Sequence, residues 1–300
     1  MSPLRGRVVL VTGAARGIGE AVAREVAARG GQVALVGLEP ERLQALSAEL
    51  ARATGVEHFW ARADVTDQSS LDKAVTGALD ALGGIDVVVA NAGIANSGTV
   101  ATNPPDALAR TVEVNLIGVM RTVSATLPHV RESHGHYLLV ASAASFTVAP
   151  GLAAYCASKA GVESFADAFR LEVAHLGVTV GSAHPIWIDT DLVRDAKEDL
   201  PLFGKTIEHL PGPLGKQVDV QTCARMIVDG IEARKAKVFV PPSVGWLFHA
   251  RALLTTGLVR KLMAKEAARS VPRLEEEVRA LGRAFGRHST GLGDQVGPAD

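Results

Sequence analysis

Short runs of β-branched and aliphatic residues alternate with longer segments of helical periodicity along this chain. The runs are apolar without strict alternation, which is typical of strands buried between two layers of helices. They predict strands at residues 8–11, 33–36, 58–60, 87–90, 137–140, 178–180 and 237–240. The periodic segments predict helices at residues 20–29, 41–53, 69–82, 106–130, 153–175 and 217–233. Strands that alternate with helices indicate an α/β fold with a single doubly wound parallel sheet.

The pattern changes twice in the last third of the chain. Four prolines between residues 185 and 213 interrupt it, which predicts a long loop at about residues 186–216 of the kind that covers or binds a ligand. From residue 241 onward the composition becomes basic and amphipathic. We therefore predict a main α/β domain over residues 1–240 and a C-terminal helical extension over residues 241–300. The extension's glycine-rich end, residues 291–300, is predicted to fray.

Composition and charge restrict the classes of function. Of the 300 residues, 47% are hydrophobic, so the chain can bury a large core. Its 31 basic and 32 acidic residues give a net charge of −1, which argues against a nucleic-acid partner. The two cysteines, Cys156 and Cys223, fit neither a disulfide framework nor a zinc site. Because the N-terminus lacks a signal layout and no apolar run is long enough to span a bilayer, we predict a cytoplasmic protein without a metal.

A glycine-rich turn, Thr12 to Gly19, connects the first strand to the first helix. Glycine adopts positive φ readily and has no side chain, so a pyrophosphate could approach this backbone at the positive end of the helix dipole. The spacing G-x-x-x-G-x-G differs from the commoner dinucleotide fingerprint, and no Gly-Lys-Ser/Thr ends it. The turn predicts dinucleotide contacts or, alternatively, only close packing of helix on sheet. The candidate contacts are Gly13, Ala15, Arg16, Gly17, Ile18 and Gly19.

Residues after the second and third strands are placed to meet the adenosine half of such a ligand. An acidic residue there binds the ribose 2′-hydroxyl, whereas a basic residue favours a 2′-phosphate. Leu38 and Glu39 follow the second strand while Arg16 lies in the glycine turn, so the two indicators conflict. Asp64 and Val65 follow the third strand as candidate adenine contacts, although a carboxylate at a helix N-terminus explains Asp64 equally well.

Tyr155 and Lys159 are separated by four residues at the start of a predicted helix, so both lie on one face. A lysine ammonium favours the phenolate and brings tyrosine toward the range of a useful acid or base. Ser142 follows the fifth strand, where a hydroxyl can orient a substrate carbonyl. Asn115 is a polar amide in an apolar helical run, where it needs partners and could hold a water in a proton relay. Each of the four residues also has an ordinary structural explanation.

Taken together, these residues resemble the motifs of the short-chain dehydrogenase/reductase family. The resemblance covers about residues 5–240 and rests on Thr12 to Gly19, Asn91-Ala92-Gly93, Asn115, Ser142 and Tyr155-x-x-x-Lys159, in this order. It implies a single Rossmann-like domain, a nicotinamide dinucleotide and reversible hydride transfer between alcohol and carbonyl, in a homodimer or homotetramer. It also implies roles for the four polar residues: Tyr155 as general acid/base, Lys159 as the group that lowers its pKa and binds the nicotinamide ribose, Ser142 on the carbonyl and Asn115 in the water relay.

The resemblance also extends the set of cofactor contacts. It implies that Asn91, Ala92 and Gly93 back the ribose on the adenine side, and that Thr190 touches the carboxamide or the phosphates. The family commonly has Pro-Gly after the sixth strand, whereas this chain has Pro185-Ile186. The resemblance implies NAD or NADP as the cofactor, and Arg16 favours NADP.

Apolar residues in the predicted loop suggest the substrate. They are Leu192, Val193, Leu200, Leu202, Phe203, Ile207 and Leu210, with Trp187 and Phe146 as aromatic walls. They predict a small lipophilic alcohol or ketone of the steroid, terpenoid or acyl kind, or alternatively an ordinary lid core. Since Ile186 departs from the family pattern, a non-catalytic dinucleotide-binding scaffold or sensor is the alternative function.

The extension carries an apolar stripe over residues 244–263 beside His249, Arg251, Arg260 and Lys261. Three interpretations compete: the stripe closes the substrate pocket, packs on another subunit, or lies on a membrane surface. The first two are the usual fates of such a stripe and are favoured. The charged residues 273–283 are predicted to form a solvated helix face.

Overall fold

The computed structural model describes residues 2–208, 215–254 and 256–286. The predicted frayed end at 291–300 and residues 209–214 of the predicted loop, with Leu210, lie outside the described residues. Within the described ranges, seven strands form one parallel sheet in the order β3-β2-β1-β4-β5-β6-β7. The strands are β1 (Val8–Thr12), β2 (Gln32–Gly37), β3 (Phe59–Arg62), β4 (Val87–Ala90), β5 (His136–Val140), β6 (Thr179–Pro185) and β7 (Lys237–Val240). The prediction of a single doubly wound parallel sheet is confirmed.

Helices cover both faces of the sheet. In chain order they are α1 (Gly17–Ala28), α2 (Pro40–Thr54), α3 (Gln68–Leu82), α4 (Pro105–Val112), α5 (Gly118–Val130), α6 (Ala153–Glu172), α7 (Asp191–Asp199), α8 (Pro201–Glu208), α9 (Val220–Glu232), α10 (Val244–His249), α11 (Arg251–Leu254) and α12 (Gly257–Leu281). The apolar sides of α1, α2 and α9 pack on one face of the strands. Those of α3, α5 and α6 pack on the other, so the core lies in two layers.

Several boundaries differ from the prediction. The segment predicted as one helix at 106–130 consists of α4, a π-helical turn over Glu113–Ile117, and α5. The helix predicted at 153–175 ends at Glu172, and a 3-10 turn leads to Gly177, whose φ of 70° a side chain would disfavour. Helix α9 begins at Val220 instead of residue 217, because the Asp219 carboxylate accepts a hydrogen bond from the Thr222 amide at 2.9 Å and caps the helix.

The segments after β1, β2, β4, β5 and β6 gather at one edge of the sheet. Since all the strands are parallel, their carboxyl ends share this edge, and a ligand crevice forms where the strand order reverses between β1 and β4. This topology brings together the predicted site residues, which are up to 177 positions apart between Gly13 and Thr190.

The extension after β7 consists of α10, α11 and α12, so the stripe predicted over 244–263 is interrupted twice. Phe248 of α10 faces the main domain, where its ring centroid lies 5.3 Å from that of Phe146 and 5.3 Å from that of Phe239. At the other end, Val278 and Phe285 are buried. The extension is thus attached to the main domain at both of its described ends. No helix in the described residues has the length and apolar composition to cross a bilayer.

Candidate active site

The glycine turn has a backbone that larger residues would disrupt. Gly13 has a φ of 66°, and a Cβ on it would lie 2.9 Å from the Cα of Ala92. A Cβ on Gly19 would lie 2.2 Å from the carbonyl oxygen of Gly13. The Asn91 amide nitrogen donates to the carbonyl of Thr12 at 3.0 Å and fixes the turn against the end of β4. The turn therefore needs glycine both for its conformation and for close approach.

A cleft of about 220 Å³ runs from this turn along the carboxyl edge of the sheet. Most of the predicted contacts line it: Gly13, Arg16, Gly17, Ile18, Leu38, Glu39, Asp64, Val65, Asn91, Ala92, Gly93, Tyr155, Lys159, Pro185 and Thr190. Five predicted site residues are outside the lining: Ala15, Gly19, Asn115, Ser142 and Ile186. The structure thus joins the two predicted halves, glycine turn and tyrosine–lysine pair, in one cleft.

Leu192 of the predicted apolar loop also lines the cleft, and sequence reasoning missed a further set of lining residues: Gly37, Ala63, Ile94, Val114, Val140, Ala141 and Asp191. Most of them adjoin a predicted contact at the end of a strand. Listing every residue that follows a parallel strand would have found those, because all such residues meet at one edge. Val114 carries no comparable signal, since it lies in the π-helical turn before α5.

Arg16 and Glu39 form an ion pair at the adenosine end of the cleft. Arg16 Nε donates to Glu39 Oε1 at 2.8 Å, and its Nη2 contacts the same oxygen. Its Nη1 lies 3.7 Å from Asp191 Oδ2 but is buried without a hydrogen bond to any described residue. Buried guanidinium nitrogens normally have an acceptor, so this nitrogen is available to one.

Asp64 is held by its own neighbourhood. Its Oδ1 accepts hydrogen bonds from the Thr66 amide at 2.9 Å and the Thr66 hydroxyl at 2.8 Å, and Arg110 lies 3.2 Å from Oδ2. Burial alone would raise the pKa of Asp64, but these hydrogen bonds and the Arg110 charge lower it. The carboxylate lines the cleft while tying the end of β3 to α4. The alternative explanation for Asp64 was a carboxylate at a helix N-terminus, but the N-terminus of α3 is capped by Asp67 instead.

The tyrosine–lysine pair lies on the first turns of α6. Lys159 is buried and its Nζ donates to the Val140 carbonyl at 2.8 Å, 5.8 Å from the centre of the Tyr155 ring. Ser142 Oγ donates to the Pro185 carbonyl at 3.3 Å and accepts from the Ala144 amide at 3.1 Å, and its hydroxyl lowers the pKa of the Tyr155 phenol. Ser142 therefore lies outside the cleft lining, next to Tyr155.

In both members of this pair the pKa is shifted so that the neutral form of the side chain is favoured. Burial raises the pKa of Tyr155, and the Ser142 hydrogen bond offsets only part of this rise. Burial also lowers the pKa of Lys159 to about 8. The pKa of Tyr155 is thus raised in this arrangement, with desolvation as the largest cause, and the lowering by Lys159 that the resemblance implies stays a prediction. Tyr155 is a phenol at neutral pH, which is the form that donates a proton.

Asn115 is fully buried and both ends of its amide are bonded. Oδ1 accepts from the Ile94 amide at 2.8 Å, and Nδ2 donates to the Ile94 carbonyl at 2.9 Å and to Ser158 Oγ at 3.1 Å. Ser158 in turn donates to the Tyr155 carbonyl at 2.7 Å. Asn115 thus connects the segment after β4 to the start of α6, and the π-helical turn places it there.

Ile186, the departure from the family pattern, lies beside the cleft. Its amide donates to the Val240 carbonyl at 3.1 Å and extends the pairing of β6 with β7. The nearby His184 is buried between Ser182 and Ser145, and burial lowers its pKa to about 4. Its Nδ1 lies 4.0 Å from Glu163. Among the described residues, no group of three metal-ligating side chains lies together.

The C-terminal extension is bonded to two segments of the main domain through carboxylates of α12. Glu275 accepts from the Thr99 hydroxyl at 2.8 Å, and Glu277 accepts from the Leu202 amide at 3.2 Å. These two contacts tie α12 to the segment after β4 and to α8. The prediction of a solvated face over residues 273–283 is therefore wrong on one side, because two of its carboxylates bind the main domain.

The residues after α12 reinforce this attachment. Arg283 contacts the Asp199 carboxylate at the end of α7, and the Ser97 amide donates to the Ala284 carbonyl at 2.8 Å. Phe285 is buried in an apolar cluster that includes Ile94. We use the term C-terminal strap for residues 274–286, which hold α7 and α8 against the segment that follows β4.

The family model for the short chain dehydrogenase matches residues 7–201. The chain is 35% identical over 228 residues to the glycine betaine reductase ATRR of Emericella nidulans, covering 75% of this chain but only 18% of that relative. It is 30% identical over 244 residues to the 2,5-dichloro-2,5-cyclohexadiene-1,4-diol dehydrogenase LinX of Sphingobium indicum, covering 81% of this chain and 97% of LinX.

Solved structures agree with this match. An alcohol dehydrogenase from Thermococcus sibiricus complexed with 5-hydroxy-NADP superposes with a TM-score of 0.67 at 26% identity, covering 78% of this chain and 95% of that one. A short chain dehydrogenase from Mycobacterium paratuberculosis bound to NAD superposes with a TM-score of 0.69 at 29% identity, covering 79% and 96%. The two similar structures thus carry different nicotinamide cofactors.

Proposed function

This chain belongs to the short chain dehydrogenase family and is an NAD(P)-dependent oxidoreductase acting on CH–OH and C=O groups, and from this premise we propose its substrate and the roles of its residues. The substrate is a lipophilic secondary alcohol or ketone of the steroid, terpenoid or acyl kind. Tyr155 is its general acid/base. The observation that carries the proposal is the placement of Tyr155 and Lys159 in the same cleft as the glycine turn.

The cleft fits a nicotinamide dinucleotide. The glycine turn provides a surface that a Cβ at Gly13 would fill, and Arg16 Nη1 provides a buried donor with no acceptor among the described residues. In the proposed arrangement the turn and Thr190 hold the pyrophosphate, Asp64 and Val65 hold the adenine, and Asn91 to Gly93 back the ribose. Pro185 lies at the nicotinamide end with Lys159. The cofactor, when bound, supplies the hydride; the protein supplies placement and the proton.

The proton comes from Tyr155. Because burial keeps its phenol protonated at neutral pH, this hydroxyl can donate to a carbonyl oxygen as negative charge develops there. Ser142 orients the phenol, and Lys159, held at the Val140 carbonyl, places a positive charge 5.8 Å from the centre of the Tyr155 ring. Asn115 positions Tyr155 through Ser158 and Ile94. This state of Tyr155 favours carbonyl reduction near neutral pH.

The apolar lining supports a lipophilic substrate. Leu192 and Ile94 line the cleft together with Tyr155, whereas Trp187 lies outside the lining and packs on Phe203 with ring centroids 5.6 Å apart. Phe146 is turned away from this wall and packs on Phe248 and His184. Apolar walls with a few convergent polar groups are typical of sites for lipophilic ligands.

We propose NADP as the preferred cofactor, on the basis of Arg16. A guanidinium can bind a 2′-phosphate with two parallel hydrogen bonds, and Arg16 already has one nitrogen without an acceptor. Glu39 competes with a 2′-phosphate for Arg16, so NADP binding requires the Arg16–Glu39 ion pair to break. The scaffold or sensor alternative is not favoured, because the chain is an oxidoreductase of this family and Ile186, which departs from the family pattern, lies outside the cleft lining.

The remaining proposals concern the whole protein. We propose residues 1–240 as the catalytic domain and 241–300 as a helical extension, in a cytoplasmic homodimer or homotetramer. The free cysteines, Cys156 and Cys223, agree with a reducing compartment. Size-exclusion chromatography with light scattering measures the oligomer, and a monomer at working concentration would contradict it.

Two measurements test the catalytic proposal. First, the thermal midpoint is measured with NAD, NADH, NADP and NADPH at equal concentrations, and we expect NADP or NADPH to raise it most. Second, turnover is measured on a panel of ketones with Tyr155→Phe beside the unmodified protein. We expect the variant to keep the cofactor-induced shift and lose turnover by about a thousandfold. Retained turnover in the variant would show that Tyr155 is not the acid. If the unmodified protein reduces only the polar ketones of the panel, the proposal of a lipophilic substrate is refuted.

A further inference from the structure

The extension contains a segment that combines exposed apolar side chains with a strong positive charge. Residues 244–273, here called the basic apolar segment, hold six basic residues and one acidic residue, whereas the rest of the chain holds 25 basic and 31 acidic ones. Among the described residues, eight large hydrophobic side chains are exposed, and four of them lie in this segment. They are Trp246 at 82%, Leu253 at 64%, Leu262 at 61% and Met263 at 38% exposure.

The middle of the segment stands away from the main domain. On one side, Phe248 packs against Phe239 and Arg251 lies 3.3 Å from Glu163, which anchors α10 and the start of α11. On the other side, the C-terminal strap anchors the end of α12. Between these anchors, every residue from 260 to 266 is exposed. A helix in a protein gains most of its stability from packing one of its faces on another part of the fold. Residues 260–266, in the first half of α12, lack such a packing partner among the described residues.

The charges in this half of α12 are free to meet a partner. Arg260, Lys261 and Lys265 have no carboxylate partner among the described residues, and Arg269 has only Glu266 at 3.9 Å. Lys261, Lys265 and Arg269 follow one another at four-residue spacing and so form a basic stripe along the helix. The neighbouring positions Leu262 and Met263 are apolar. A basic stripe beside exposed Leu, Met and Trp is the pattern of a helix that lies in a lipid headgroup region.

We propose that the basic apolar segment binds the surface of an anionic lipid bilayer, with α12 lying in the plane of the headgroups. Charge complementarity identifies the partner. Two copies of this chain meeting through this face of α12 would bring Arg260, Lys261, Lys265 and Arg269 of one copy against the same cations of the other, which a two-fold interface does not favour. A nucleic acid would leave Leu253, Leu262 and Met263 uncovered. An anionic bilayer satisfies both properties, because its phosphates pair with the cations and its acyl boundary covers the apolar side chains.

The binding is peripheral, since no described helix can cross a bilayer. Trp246 is suited to the headgroup level, where its indole has an apolar body and a polar N–H. The C-terminal strap and the contacts of α10 hold the basic apolar segment on the main domain. The enzyme would therefore work next to the membrane that this segment binds. The proposal concerns binding alone and does not depend on the identity of the substrate.

The experiment is co-sedimentation of the full chain with vesicles. One set is phosphatidylcholine alone, and the other contains about 30 mol% phosphatidylglycerol. We expect sedimentation with the anionic vesicles, little with the neutral ones, and release as the salt concentration rises toward about 1 M, where screening is strong. Sedimentation with both sets alike, or with neither, would overturn the proposal.

Variants locate the binding surface. In Lys261→Glu/Lys265→Glu/Arg269→Glu we expect binding to the anionic vesicles to fall by about tenfold or more. The matched control, Lys73→Glu/Arg131→Glu/Lys235→Glu, changes the net charge equally at exposed positions of the main domain and should bind nearly as the unmodified chain does. If both triple variants lose binding equally, net charge and not this helix decides it, and the proposal is wrong.

A second variant keeps the charge and removes the apolar contacts. Leu262→Ser/Met263→Ser should weaken vesicle binding while leaving the unfolding transition unchanged, because both side chains are exposed. If this variant instead dissociates an oligomer, and vesicle binding is the same with and without it, the surface is a contact between copies of the chain. That outcome also overturns the proposal.

Discussion

Arg16 and Glu39 are bonded to each other at 2.8 Å, Nε to Oε1, at the adenosine end of the cleft. The first residue favours a 2′-phosphate and the second a 2′-hydroxyl, so the two indicators of cofactor choice neutralise one another in the structure. A phosphate must compete with Glu39 for the guanidinium. The choice between NADP and NAD is therefore an exchange of ion-pair partners.

The first prediction follows from this exchange. Arg16→Ala should weaken NADP binding by about 2 kcal/mol, or roughly 30-fold, and change NAD binding little, because only NADP carries the phosphate. Glu39→Gln should do the opposite and strengthen NADP binding, since Arg16 loses its competitor. Titration of each variant with both cofactors measures the ratio. Arg24→Ala is the control, because Arg24 pairs with Glu20 and Glu49 instead. An unchanged ratio in both test variants would remove Arg16 from cofactor choice.

The second prediction concerns the glycine turn. Gly13→Ala adds a Cβ at positive φ only 2.9 Å from the Cα of Ala92, so it should abolish stabilisation by any nicotinamide dinucleotide. Gly55→Ala is the matched control: its φ is 73° but no atom lies within 4 Å of the added Cβ. It should cost about 1 kcal/mol of backbone strain and leave cofactor binding intact. Thermal midpoints with and without cofactor measure both. Equal behaviour of the two variants would mean that the close approach is unimportant.

The third prediction concerns the buried Lys159. Burial lowers its pKa from 10.5 to about 8, so below pH 8 the folded protein holds a charged ammonium at a cost of about 3 kcal/mol. Between pH 8 and 10.5 the unfolded chain binds more protons than the folded one, so this cost disappears as the pH rises. Lys159→Met should abolish turnover yet raise the free energy of unfolding at pH 7 by about 2 kcal/mol, after the lost Val140 hydrogen bond is deducted.

Denaturant unfolding of Lys159→Met at pH 7 and pH 10 measures this effect, and the gain in stability should shrink at the higher pH. Lys73→Met, at an exposed position, is the control and should show no such dependence on pH. A stability difference for Lys159→Met that is equal at both pH values would mean that the ammonium is not destabilised by burial.

The fourth prediction concerns the C-terminal strap. Phe285→Ala removes a buried ring from the cluster that contains Ile94, and should cost about 3 kcal/mol of local stability. Because the strap holds α7 and α8 through Arg283 and Glu277, we expect faster hydrogen exchange in both helices and a higher KM for the substrate. Arg273→Ala, at an exposed position of α12 just before the strap, is the control. Exchange that increases only within the strap itself would show that it does not hold the two helices.

Hydrophobic periodicity alone determined the alternation of strands and helices and the single parallel sheet. Strands buried on both faces must be apolar throughout, and residues 87–90 were found without any shift in boundary. Motif spacing likewise identified the glycine turn and the tyrosine–lysine pair, because local backbone geometry places four-residue neighbours on one helix face. These are local properties, which a sequence carries directly.

Tertiary structure decided what depends on distant contacts. Desolvation sets the direction of the Tyr155 pKa, and no spacing along the chain reports how deeply a phenol is buried. The pairing of Arg16 with Glu39 joins two strand ends that are 23 residues apart. The extension divides into a strap and an exposed basic helix because Val278 and Phe285 are buried against the main domain while Leu262 and Met263 stay exposed. Burial is a property of the folded surface as a whole, so the sequence pattern supplies the apolar residues but not their partners.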